Sequence, residues 1–178
     1  MLETFFSSSP WLWPSLAMAM VVSLLAFRPV ARRLHAPSAV AFLLVLSLSG
    51  IVALTLTPGD DAFSRFNLAD CFVRVARPIG LERVLNFGGR GLNVLLFVPL
   101  GAAIAALPRS RTKLMLLVGA LAMPFLIEGS QYYFSALDRS CSTLDVVDNL
   151  TGLVVGLVIG AVAGVVVRRR PRSASLGG

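Results

Sequence analysis

The sequence predicts an all-α integral membrane bundle of about five transmembrane helices, with the N-terminus outside and the C-terminus in the cytoplasm. Three observations carry that expectation. The 178 residues are 56% hydrophobic and 14% charged, with a mean hydropathy of +0.81. That leaves too little polar surface to clothe a soluble core of this size. Five apolar runs recur along the chain, and the basic residues fall in blocks between alternate runs.

The runs are Trp11–Phe27, Ser38–Thr55, Leu92–Leu107, Leu114–Ile127 with a continuation to Phe134, and Leu150–Val167. Each approaches the roughly 17–25 residues that cross a bilayer. Lipid offers no partner to free backbone groups, so separate segments must cross as helices. Arg28, Arg32 and Arg33 follow the first run as a short loop, and Arg109, Arg111 and Lys113 follow the third. Arg168, Arg169, Arg170 and Arg172 follow the fifth. These three basic segments alternate correctly for one side, which is placed in the cytoplasm. The organisation is therefore an extracytoplasmic segment 1–10, a transmembrane domain 11–167 and a cytoplasmic basic tail 168–178. The opening MLETFFSSSP has no basic region, so the first run is expected to stay as a helix and not leave as a signal peptide.

The net charge of +7 would suit nucleic acid or an anionic membrane. The short basic blocks between apolar runs argue against nucleic acid and for membrane lipid. All nine acidic residues fall on the expected outer side or in the outer end of the fourth helix. Between runs two and three, 57–91 is too long for a simple connection. Leu68, Phe72, Val75 and Ile79 recur there at helical spacing, which suggests a helix lying in the outer interface; an irregular loop is the alternative.

Three helices bring polar side chains to that outer end. On the fifth, Asp145, Asp148, Asn149 and Gly152 share one face at i, i+3, i+4 and i+7. Gly156, Gly160 and Gly164 continue it every four residues, a close-packing stripe for another helix or another copy of the chain. Ser142 and Asp145 also fit a helix capping box, so Asp145 has a purely local alternative. On the fourth helix, Glu128 lies roughly 9 Å inside the end at about 1.5 Å per residue. An ionisable group at that depth needs a partner, and Arg139 or Arg90 could supply it; a structural ion pair is the plainer reading. Gln131 shares that end, Pro124 is expected to kink the helix, and Tyr132 and Tyr133 suit the membrane interface. On the third helix, Arg90, Asn93, Phe97 and Gly101 share a face, and Pro99 adds a second kink. Asn93 reads either as part of a site or as an ordinary interhelical amide.

GGRG at 88–91 neither follows a strand nor opens a soluble helix, so it is not read as a phosphate loop. His35, the single histidine, lies in a basic loop and is read as a bystander. No histidine–cysteine cluster suggests a metal, and no cofactor is expected. Cys71 and Cys141 both fall on the outer side, where an oxidising compartment would allow one bridge between them.

NVLLFVPLG (Asn93–Gly101), IEGSQ (Ile127–Gln131), Arg139 and DVVDNLTGLVVG (Asp145–Gly156) together resemble the VanZ-like family, as does LTLTP (Leu54–Pro58). The family is named for a membrane protein of glycopeptide-resistance clusters associated with low-level teicoplanin resistance. The resemblance carries over to Asn93, Pro99, Gly101, Glu128, Gln131, Arg139, Asp145, Asp148, Asn149 and Gly152. It brings no reaction and no catalytic residue. Three functions stay open. The first is a noncatalytic envelope protein binding a lipid-linked, cell-wall or glycopeptide ligand through Arg90, Asn93, Glu128, Gln131, Arg139, Asp145, Asp148 and Asn149. The second is an enzyme on a lipid-anchored substrate, with Glu128, Asp145 and Asp148 as acid and base. The third is a structural protein whose polar cluster glues helices.

Overall fold

The computed structural model describes residues 11–57, 71–74, 89–134, 137 and 140–169, the last three of these without their side chains. Five helices run through them: α1 (Leu12–Leu34), α2 (Ser38–Thr55), α3 (Gly89–Ala106), α4 (Arg111–Tyr133) and α5 (Thr143–Arg169). Each is long and apolar enough to cross a membrane. The two shortest, α2 and α3, have 18 residues each, about 27 Å at 1.5 Å per residue, close to a hydrocarbon core of about 30 Å. Between them, β1 (Cys71–Phe72) pairs in parallel with β2 (Cys141–Ser142), which leads directly into α5.

The helices are longer than the apolar runs. Arg28, Arg32 and Arg33, expected in a loop, belong to the last turns of α1, which continues past Pro29 to Leu34. Cations are stabilised beside the carbonyl end of a helix, and arginine stems can lie along apolar surface while their heads reach water. His35 then closes α1 in the left-handed conformation at φ 50°, with the His35 N–H donating to Arg32 O and the Ala36 N–H to Ala31 O. Where helical spacing predicts an interfacial helix, Phe72 is in a strand and no continuous helix passes through 71–74. Leu68, Val75 and Ile79 lie outside the described residues.

Contacts run α1 to α2, α2 to α3, α3 to α5 and α5 to α4, with the α3–α5 seam the most extensive. Serines stitch the first pair: Ser23 Oγ donates to Ala19 O at 2.6 Å and lies 3.2 Å from Ser49 Oγ. The core between α2, α3, α4 and α5 is Leu44, Ile51, Phe97, Leu100, Ile104, Ala120, Ile127 and Leu153. Outward faces are apolar, as in Val154, Val158, Ile159 and Val162 of α5 or Leu114, Met115, Val118 and Phe125 of α4. Water would not tolerate such a surface; lipid does.

Glycine makes the α3–α5 seam. A Cβ on Gly152 would collide with the Val94 carbonyl, one on Gly156 with Val98, and one on Gly160 with Ala102. Gly101 makes the reciprocal approach toward Leu153 O. Backbone-to-backbone packing of this kind compensates for the lack of a hydrophobic drive between helices in lipid. Gly164, expected to extend the stripe, meets nothing within 4 Å. α3 ends at Ala106, so the stripe outruns its partner. At the same end Lys113 Nζ donates to Ala105 O at 2.7 Å and Leu107 O at 3.0 Å, satisfying carbonyls at and just beyond the close of α3.

Candidate functional site

The other end of the bundle gathers the C-termini of α2 and α4 with the N-termini of α3 and α5. An aromatic rim surrounds it: Trp11, Trp13, Tyr132, Tyr133 and Phe134 are all exposed. Tryptophan and tyrosine concentrate where hydrocarbon meets water, so this end lies at one membrane surface.

Five of the polar residues predicted from sequence come together here around a cavity, and the others divide between packing and the undescribed segments. Arg90 and Asp148 form a bidentate ion pair across the α3–α5 seam. Arg90 Nε donates to Asp148 Oδ2 at 2.7 Å and an Arg90 terminal nitrogen to Oδ1 at 2.8 Å. Asp148 is 1% exposed and Arg90 29%. The planar guanidinium matches both carboxylate oxygens, which lets a carboxylate survive at this burial. Arg90 was one of two partners expected for Glu128; its bidentate partner is Asp148, because α3 packs on α5 far more closely than on α4. Arg139, the other expected partner, lies outside the described residues.

Glu128 is nearly buried in α4, and its Oε2 accepts the Ser142 N–H at 2.7 Å. Ser142 Oγ in turn accepts the Leu144 N–H at 3.3 Å, as the residue before a helix should. In a capping box the Ser142 N–H would be taken from within α5, by Asp145. Here a neighbouring helix reaches it, so the acid of α4 helps cap α5. Gln131, one turn below, donates from Nε2 to Thr55 O at 3.1 Å and ties α4 to the end of α2. Thr143 secures the remaining connection: its Oγ1 accepts the Arg74 N–H and donates to Arg74 O, each at 3.0 Å. The disulfide Cys71–Cys141 lies beside it with Cα atoms 4.4 Å apart. The bridge allowed by topology is therefore present, and it fixes the approach to α5.

These ties leave a partly open cavity of about 290 Å³ between α2, α3, α4 and α5. Asn93 faces it from α3; Glu128 and Gln131 from α4; Asp145 and Asn149 from α5. Thr55, Ile127 and Ser140 complete the described lining. Thr55 and Ser140 were not singled out as site residues by sequence, although Thr55 belongs to the LTLTP stretch. Asp148 is not among the lining residues: it is turned into the seam. Asn149, its neighbour, is 2% exposed, and its Oδ1 has no hydrogen-bond partner among the described residues. Nearly all such buried acceptors in folded proteins are satisfied, so this one asks for an explanation.

Five apolar helices closed by a glycine seam, with a polar cavity at one end, define a multi-pass helical membrane protein. A family model described as VanZ/LLP1 matches residues 15–164, which covers all five helices nearly end to end. The chain belongs to the VanZ-like family. A search of curated proteins and a search of solved structures each returned no match to it.

Proposed function

We propose that this chain is a noncatalytic protein of the bacterial cytoplasmic membrane. Its polar cavity faces the extracytoplasmic side and binds the headgroup of a lipid-linked or cell-wall ligand. The cavity volume supports a headgroup over a whole glycopeptide. About 290 Å³ is at the lower end of the range for small-molecule sites, and a multi-ring glycopeptide is several times larger. A contribution to teicoplanin resistance would then act through the envelope ligand, with the drug excluded from the cavity. The observation that carries this reading is the partly open cavity itself, with five polar side chains, Asn93, Glu128, Gln131, Asp145 and Asn149, on its wall.

The placement of the basic blocks supports the orientation, with the arginines of α1 and the α3–α4 connection at the opposite end of the bundle. Against an enzyme of the three acids stands the state of Asp148. It is clamped by Arg90 and turned away from the cavity, so it is poorly placed to shuttle a proton to a bound substrate. The structural reading applies to the Arg90–Asp148 pair and the glycine seam, and it leaves the cavity unexplained.

Expression in a teicoplanin-susceptible bacterium tests the proposal. The wild-type chain is expected to raise the inhibitory concentration of teicoplanin. Glu128→Gln retains an acceptor oxygen for the Ser142 N–H but lacks the charge, so it is expected to reach the membrane in normal amount and lose the effect. Full resistance in Glu128→Gln, or none in the wild type, would contradict the reading.

A further inference from the structure

The chain has two cysteines, and the bridge between them lies beside the cavity. Ser140 lines the cavity, Cys141 is bridged to Cys71, and the Ser142 N–H is held by Glu128, which also lines the cavity. α5 starts at Thr143 and brings Asp145 and Asn149 to the same wall. Further along, the helix is fixed in another way. At Gly152, Gly156 and Gly160 it lies backbone to backbone on α3, a contact in which the bridge takes no part. So α5 has two anchors, the glycine seam along its length and the strand pair at its N-terminus.

The second anchor depends on the bridge. β1 joins β2 through two residue pairs, Cys71 with Cys141 and Phe72 with Ser142. Thr143 adds its two hydrogen bonds to Arg74. Residues 71–74 are all exposed, so β1 buries little apolar surface that would hold it in place. A contact made across 70 residues of sequence carries a loop-closure cost, which these few bonds offset poorly without a covalent link. The two cysteines also differ in access. Cys71 is exposed, whereas Cys141 is 7% exposed. An attacking thiolate therefore reaches the bridge at Cys71, and exposed bridges are the ones that exchange.

We propose that Cys71–Cys141 is a redox switch on the cavity. The oxidised chain holds the wall made by Ser140 and the first turn of α5; reduction frees β1 and loosens that wall. This rests on the binding role proposed above and assigns its regulation. The reductant is a dithiol. Its thiolate attacks Cys71 Sγ, the sulfur–sulfur bond breaks, and the electron pair leaves on Cys141 Sγ, which takes up a proton. The second thiol of the reductant then displaces Cys71, which leaves as a thiol. The chain gains two electrons and two protons, and the reductant becomes a disulfide. Ser142 then loses its strand partner, while the glycine seam keeps the rest of α5 on α3. One wall of the cavity gives way and the bundle stays folded.

The test is hydrogen exchange of the full-length protein in nanodiscs, oxidised and after treatment with dithiothreitol. With two cysteines in the chain, the reagent has one bridge to reduce. The reporters are the Ser142 amide, bonded to Glu128, and the Leu144 amide, bonded to Ser142 Oγ. Reduction is expected to speed their exchange at least about tenfold, and reoxidation to reverse the change. Amides beyond Gly152 keep their protection, because the seam is intact. Unchanged exchange at Ser142 and Leu144 would overturn the switch. So would loss of protection along the whole of α5, which would make the bridge a support of the fold. In the teicoplanin assay, Cys71→Ser combined with Cys141→Ser is expected to reach the membrane and lose the effect of the wild-type chain. Should that variant fail to accumulate, exchange of wild-type protein reduced after folding decides the matter. Resistance retained by the double variant would overturn the switch and keep the binding role. A wild-type chain without effect on resistance would overturn the binding role, and the exchange result would still show whether the bridge controls this wall.

Discussion

Replacing Gly156 with leucine is expected to abolish recovery of folded, monodisperse protein. A Cβ at this position would overlap the Val98 carbonyl and crowd the Ala102 nitrogen, both backbone atoms of α3. No rotamer change relieves a clash with main chain, so α3 and α5 would have to separate. Separation costs the contacts of the whole seam, including those at Gly152 and Gly160 on either side. Overpacking that side chains can absorb costs about 1–3 kcal/mol; with rigid backbone as the obstacle the cost here is about 3 kcal/mol or more. Gly164→Leu is the internal control. The same substitution, two turns further along the same helix, meets nothing within 4 Å and should leave the yield and melting temperature near wild type. Size-exclusion profiles and thermal unfolding of the two variants in detergent check the contrast. Equal damage at both positions would show that the stripe serves another partner.

Arg90→Ala carries the second large effect. It removes the counter-charge of a carboxylate that is 1% exposed and otherwise sealed in the α3–α5 interface. Breaking a buried pair from one side costs about 3–5 kcal/mol, and the residual exposure of Arg90 places this pair near the lower figure. Arg90→Lys recovers little, because an ammonium cannot reproduce the two parallel bonds made by Nε and a terminal nitrogen. Arg90→Met combined with Asp148→Leu should restore most of the loss, since a matched apolar pair leaves no buried charge. Unfolding midpoints of Arg90→Met, Asp148→Leu and the double variant, taken as a cycle, measure the coupling. Additive losses would show that the pair is not energetically coupled.

Much of this arrangement is legible in the sequence because membrane proteins write their rules in composition. The five apolar runs and the basic blocks place the helices, and lipid permits nothing else in those segments. Gly152, Gly156 and Gly160 at four-residue intervals announce a helix seam, and Asp148 and Asn149 on the same face announce that the seam ends in polar residues. Where each helix stops is less visible. The Arg28–Arg33 stretch looks like a loop by hydropathy, yet a helix end accepts arginines, so α1 continues to Leu34. Gly164 fits the stripe by spacing, but whether α3 still faces it depends on where α3 ends.

The pairing inside the site was the least legible part. Charge counting offered Arg139 or Arg90 to Glu128, and only the order of helices in the bundle gives Arg90 to Asp148. The described partner of Glu128 is a backbone N–H, a group every residue carries and no sequence motif marks. The cavity itself is a residue of these choices. Asp148 turns into the seam with Arg90, Gln131 reaches across to Thr55, Glu128 caps α5, and Asn149 is left on the cavity wall.

That last point is the most direct place to test the whole account. Cryo-electron microscopy of the protein purified with its native membrane lipid would resolve the space between Asn93, Glu128 and Asn149. A nonprotein headgroup within hydrogen-bonding distance of these side chains, continuous with acyl-chain density, is the expected result. A collapsed cavity, with the Asn149 amide bonded to another side chain of this protein, would contradict it.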